Sequence, residues 1–213
     1  ICLVGSEMCI RDSSSNMQDK PAITAFPIQE ALQRRWSPRA FDSRPLTKEE
    51  IVSMFEAARW AMSGYNDQPW RFIVAQQGDD HYDKAFSCVG AWNQQWAQSA
   101  PLLGFIIADE TSPTSGEHNY AATFEAGIAA GFLVVQAETL GLRCHLFGGI
   151  HRDEIREAFN VPEKHNIICG FVCGHHGALQ QIPESFHEEE GAPRTRKALS
   201  EIVFGSTWQT AYL

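Results

Sequence analysis

Arg59-Trp60-Ala61-Met62-Ser63-Gly64-Tyr65-Asn66-Asp67-Gln68-Pro69-Trp70-Arg71-Phe72 is the stretch from which the fold unfolds. It reads as the end of a helix, a polar loop and the start of a buried strand. Ser63, Gly64, Asn66 and Gln68 are small or amide-bearing, suited to a planar, heteroatom-rich ligand. Trp60, Trp70 and Phe72 supply apolar packing on either side. An ordinary turn between two elements accounts for the same residues. Upstream, Thr47-Lys48-Glu49-Glu50 is a capping box. The helix it starts carries Ile51, Phe55, Ala58 and Met62 along one stripe. Downstream, Phe72 to Ala75 is a short buried strand.

Further out, Pro27 to Arg35 is expected to be a helix that stops before Pro38. Asp79 to Cys88 is a second helical stretch, and Trp92 to Ala97 a third that ends before Pro101. Leu102 to Ala108 is almost continuously apolar, as a central strand covered on both faces must be. A polar loop, Thr111 to Gly116, follows. Glu117 to Gly141 is the longest helical segment, small and apolar nearly all round. It is expected at the heart of the protein, at a subunit interface. Arg143 to Phe147 and Asn166 to Gly174 are strands, with a helix over Arg152 to Phe159 between them. The tail Leu199 to Phe204 is a candidate further strand, with Trp208 placed to pack on a neighbour. Strands separated by helices, without strict alternation, predict a three-layer α+β fold.

Residues 1–20 show no period and lack the basic start and long apolar run of a signal peptide. They resemble translated vector sequence, Met17 being a plausible natural start. They are expected to be a non-native or disordered extension of a single domain over residues 21–213. The formal net charge of −9 argues against nucleic acid, which selects positive charge, and against anionic lipid surfaces. No apolar run is long enough to span a bilayer. Of the six Cys, the four beyond residue 80 lie in apolar surroundings. Cys169 and Cys173 would share a strand face about 13 Å apart, too far for a disulfide. Reduced core thiols point to the cytoplasm.

Several chemistries find no support. There is no Gly-x-Gly-x-x-Gly after a strand, no phosphate loop and no Gly-x-Ser-x-Gly elbow. His175-His176 would point to opposite faces, and no zinc spacing occurs, so no metal is expected. Asp109-Glu110 sits at a strand end, where a solvated pair is the simpler reading. Gly148-Gly149 follows a strand, and its backbone N–H groups suit a ligand acceptor, or a plain turn. What remains is a dispersed anion site: Arg34, Arg35 and Ser37 early in the chain, with Arg194, Arg196 and Lys197 late. Guanidinium matches phosphate oxygens in bidentate fashion. One phosphate bound by both clusters would suit an FMN-type cofactor, its ring against the Ser63–Gln68 loop and the Gly148-Gly149 turn.

Three blocks carry a resemblance: Arg-Arg-Trp-Ser-Pro-Arg-Ala-Phe at 34–41, Ala-Arg-Trp-Ala-Met-Ser-Gly-Tyr-Asn-Asp-Gln-Pro-Trp-Arg-Phe at 58–72, and Pro-Arg-Thr-Arg-Lys at 193–197. In order, from about residue 28 to 204, they resemble the nitroreductase family. The resemblance implies a mostly antiparallel sheet flanked by helices and an obligate homodimer with two FMN sites at its interface. Arg34, Arg35 and Ser37 would then contact phosphate and ribityl chain, and Arg194 and Arg196 the phosphate. Met62, Ser63, Gly64 and Asn66 match the loop lent by the second subunit. Gly148 and Gly149 match the turn facing the reactive ring nitrogen, and Asn93 an amide at the ring edge. Met62-Ser63-Gly64 stands where many members have Pro-Ser-Ser, and Trp36 separates Arg35 from Ser37. The implied activity is ping-pong hydride transfer from NAD(P)H through flavin to a small organic acceptor of nitroaromatic, quinone or flavin type. The cofactor carries the chemistry, so no catalytic acid or base is named. The alternative on the same scaffold is a flavin-binding or storage protein without turnover.

Overall fold

The computed structural model describes residues 20–213. The expectation for residues 1–20 therefore falls almost wholly outside the described residues. Four strands, β1 (Trp70–Gln76), β2 (Leu102–Asp109), β3 (Arg143–Phe147) and β4 (His165–Gly174), form one sheet in the order β1-β2-β4-β3. Every pairing is antiparallel. The helices are α1 (Glu30–Arg34), α2 (Lys48–Arg59), α3 (Tyr82–Ser87), α4 (Ala91–Ala97), α5 (Ala122–Thr139), α6 (Arg152–Phe159) and α7 (His187–Gly191).

The alternation of β2 shows how the layers arise. Leu103, Phe105 and Ile107 face a core shared with α3, α4 and α6. Leu102, Ile106 and Ala108 face a second core built with α2 and α5. A strand buried on both faces must be apolar along its buried length, as this one is from Leu102 to Ala108. Gly104 is dictated by its neighbour: a Cβ there would lie 2.5 Å from the Phe171 ring. The cap of α2 is as expected. Thr47 Oγ1 accepts the Glu50 N–H, and the Glu50 carboxylate accepts the Thr47 N–H at 2.7 Å.

Three expectations change. The first helix is only Glu30–Arg34 and buries none of its residues. The long helix begins at Ala122, not Glu117, because the Asn119 side chain takes the Ala121 N–H and a Thr111–His118 bridge closes the preceding turn. Within the single chain that helix keeps one face open. Its Ala122-Ala126-Ala129-Leu133 side packs on the sheet, while Phe124, Gly127, Gly131 and Phe132 are exposed. The tail adds no strand to the sheet. Leu199–Glu201 is a 3-10 turn, Phe204 bridges Ala211, and Trp208 packs on Phe204 at 4.8 Å between ring centroids. Among the described residues no helix is long and apolar enough to cross a membrane.

Candidate functional site

Pro38 ends the α1 region and turns the chain inward. Trp36 is buried there, edge-on to His176 at 5.2 Å. The His145 ring bonds the Pro38 carbonyl through Nδ1 at 2.9 Å, which makes Nδ1 the protonated nitrogen. Glu190, only 3% exposed, accepts the Arg39 N–H at 3.0 Å and the Ala40 N–H at 3.2 Å. Arg194 donates to the carbonyls of Lys20 and Gln33, each at 2.8 Å. Residues 20–40 and the segment around Glu190 and Arg194 are thereby stitched into one rim.

That rim encloses a cavity of about 250 Å³ lined by Lys20, Arg35, Trp36, Ser37, Arg39 and the 189–196 segment, including Arg194 and Arg196. Arg35 reaches Ser37 Oγ at 3.4 Å. Burial, and then the charge of Arg196, pushes the Arg35 guanidinium below its ordinary pKa. Burial, Arg35 and Arg196 do the same to Arg194. Three like charges held this close in an acidic protein form a ready site for an anion.

The sequence reading paired these clusters; the structure brings Arg35, Ser37, Arg194 and Arg196 to one cavity. Arg34 does not join them. Its guanidinium lies 3.3 Å from Glu30 and 3.3 Å from Glu138, and it is not among the residues that line the cavity. Its neighbour Glu138 is itself paired with the buried Arg143 at 2.7 Å, so Arg34 belongs to an ion-pair network under α5. Arg39, in the same 34–41 block, is placed differently. It lines the cavity, pairs with Glu189 at 2.7 Å and lies over the Trp92 and Phe186 rings at 5.4 and 5.6 Å. Its presence in the 34–41 block was a signal, but its role depends on neighbours roughly 50 and 150 positions away.

Trp92 leads to the second part of the site. The next residue, Asn93, is buried, and its Nδ2 donates to the Gly149 carbonyl at 3.1 Å. The Gly90 N–H donates to the same oxygen at 2.9 Å. Two inward bonds fix the Gly149 peptide, and its own N–H has no partner among the described residues. A Cβ on Gly149 would lie 2.2 Å from Asn93 Nδ2. Asn93 thus supports the turn from behind through one N–H of its side-chain amide.

The Met62–Gln68 loop is the third part and lines no part of that cavity. Met62 is 61% exposed. Tyr65, Asn66 and Gln68 have φ of 51°, 59° and 50°, left-handed values uncommon outside glycine. The Gly64 N–H donates to Glu125 Oε1 at 2.7 Å, and Ser63 Oγ accepts the Gln68 N–H at 3.1 Å. Glu125 had no marker in the sequence: an acidic residue in the first turn of a helix is ordinary.

The protein thus combines an antiparallel sheet flanked by helices with a cavity lined by four guanidinium groups, a glycine turn with an unpartnered backbone N–H among the described residues, and a polar loop with left-handed backbone. The chain belongs to the nitroreductase family, whose model matches residues 32–93 and 84–175. It superposes with a TM-score of 0.85 on a solved structure described as the oxidoreductase containing FMN, at 30% identity, over 91% of this chain and 99% of that one. It is 30% identical over 145 residues to an uncharacterized 15.4 kDa protein of Mycolicibacterium smegmatis, covering 65% of this chain and 97% of the relative. It is also similar to the FMN reductase (NAD(P)H) of Bacillus subtilis, at 27% identity over 165 residues, 70% of this chain and 65% of that protein.

Proposed function

We propose that residues 21–213 form one FMN-binding domain of an NAD(P)H-dependent oxidoreductase that reduces a small organic acceptor by a ping-pong route. The single observation that carries this reading is the cavity that gathers Arg35, Arg194 and Arg196 around Ser37. The residues fit FMN. Guanidinium groups crowded enough to depress one another are relieved by a phosphate dianion, and Gly149 offers a donor to a ring acceptor. The bound flavin would supply hydride acceptance and donation. Arg35, Ser37, Arg194 and Arg196 would hold its phosphate, and Arg39 with Trp92 would line the way toward the Gly149 turn. Asn93 keeps that turn's N–H free by anchoring its carbonyl inward.

The Met62, Ser63, Gly64 and Asn66 loop belongs to this reading as a part lent to a partner's site in a homodimer. The outward face of α5 supports the dimer. Phe124, Gly127, Ile128, Gly131, Phe132 and Val135 fall at helical spacing along it, and Phe124 is 72% exposed. Gly127 and Gly131 each cost about 1 kcal/mol in a helix interior relative to Ala. A Cβ at either position meets nothing within 4 Å. Nothing among the described residues requires them, whereas a second copy packed closely on the stripe would.

The test is anaerobic mixing of the FMN-loaded protein with NADH and with NADPH. Rapid bleaching of the flavin band by at least one nicotinamide, followed by return of colour on adding a quinone, supports turnover. A bound flavin that neither nicotinamide reduces makes the protein a flavin carrier instead.

A further inference from the structure

Three non-glycine residues in one four-residue stretch, Tyr65, Asn66 and Gln68, hold left-handed backbone. Each such residue is uphill, and such strain persists only where the surroundings over-determine it. The ties within the loop are local: Ser63 Oγ on the Gln68 N–H, and the Gln68 side chain on the Asn66 carbonyl at 3.0 Å. Thr114 adds an exposed bond to Asp67 at 2.8 Å. Among the described residues the one tie from outside that comes from a buried side chain is Glu125. Its Oε1 takes the Gly64 N–H at 2.7 Å from 61 residues away, at the head of the strained run. Glu125 is 5% exposed, and its Oε2 is buried without a hydrogen-bond partner among the described residues.

A buried carboxylate with an unsatisfied oxygen is an expensive way to hold one amide. A first-turn position on α5 offsets part of that cost, since the helix N-terminus favours negative charge. The same helix carries the apolar outward stripe two residues further on, at Gly127 and Ile128. The loop's anchor and the proposed partner face are thus built into one rigid element.

We propose that Glu125 is a positioning residue for the flavin site: it fixes Gly64 inward, so that Ser63, Tyr65 and Asn66 are presented outward in the conformation the bound ring meets. The Gly64 N–H is spent on this bond, so Gly64 serves the site through its backbone path. This rests on the function proposed above.

The test uses full-length Glu125→Gln and Glu125→Ala beside the wild type. It reads the FMN dissociation constant, the visible circular dichroism of the bound flavin, the melting temperature and hydrogen exchange of the Gly64 amide. Expected is a graded series. The FMN dissociation constant rises about tenfold in the Ala variant and less in the Gln variant, which keeps one acceptor oxygen, with the flavin dichroism altered in the same order. Gly64 exchange quickens at least tenfold in the Ala variant. Lower melting temperatures with unchanged FMN affinity and unchanged flavin dichroism would overturn the proposal, because that is what a merely structural carboxylate gives. If the Ala variant does not fold, the Gln variant decides by the same two spectroscopic readings. A wild type that binds no FMN defeats the proposed function itself; a wild type that binds FMN as tightly as both variants defeats only the role of Glu125.

Discussion

Gly149→Ala is the sharpest perturbation of the ring-side turn. The added Cβ would sit 2.2 Å from Asn93 Nδ2 and 3.4 Å from its Cγ, so one of two things must give. Asn93 can swing away, which leaves a buried amide without its Gly149 partner and costs about 1–3 kcal/mol. Otherwise the turn shifts against the Gly90 N–H bond and the neighbouring packing, an overpacking cost of about 1–3 kcal/mol. Either route destabilises the apoprotein by about 2 kcal/mol, a fall of roughly 4–8 °C in melting temperature for a chain of this length. The cause can be isolated by a double-mutant cycle. Asn93→Ala removes the obstacle at the cost of one hydrogen bond and a small cavity, while Gly90 still satisfies the Gly149 oxygen. Adding Gly149→Ala to it should then cost little more, giving a coupling of about 1–2 kcal/mol. Gly148→Ala is the control, since its Cβ meets nothing within 4 Å. Urea unfolding of the four proteins of the cycle and the control provides the free energies. Additive penalties, or a Gly149→Ala variant as stable as Gly148→Ala, would refute the argument that Asn93 backs this turn.

Two further perturbations address the assembly and the acid limit. Gly131→Arg should leave the fold of the single chain intact, because the site faces open space, but should convert a dimer to a monomer in analytical ultracentrifugation; an unchanged dimer would move the interface off α5. Burial holds the His145 pKa down at about 4, against an ordinary 6.5. The unfolded chain therefore binds the extra proton first, and stability present above pH 6.5 is lost progressively as the pH falls toward 4, by up to about 3 kcal/mol. His175 is lowered in the same direction, so the comparison is between wild type and His145→Phe: the variant should show a shallower decline over that window in urea titrations, and parallel curves would contradict it.

The elements whose apolar period is unambiguous were legible to the residue. β3 and α6 begin and end where the pattern places them, and β2 is central because no position along it is polar before Asp109. The ends decided by side-chain bonds were not. The Asn119 contact and the Thr111–His118 bridge move the start of α5, and composition alone does not say which of its faces meets the core, because small and apolar residues read alike whether they meet a core or a second chain. The anion cluster was visible as arginines, yet the choice between neighbours Arg34 and Arg39 depends on which guanidinium finds Glu138 and which finds the cavity. Glu125 and Asn93 act through backbone partners 61 and 56 residues away, a separation that no local spacing encodes.

The central claim is that the Arg35–Arg194–Arg196 cavity holds the phosphate of FMN, and comparison of FMN with riboflavin, which lacks only that phosphate, tests it most directly. Hydrogen bonds to charged groups are worth about 1.5–3 kcal/mol each, so calorimetric titration should show FMN bound at least 100-fold more tightly than riboflavin. Arg35→Ala and Arg196→Ala should each remove a factor of ten or more of that preference while leaving riboflavin binding unchanged. Equal affinity for the two flavins, or a preference that survives both substitutions, would contradict it.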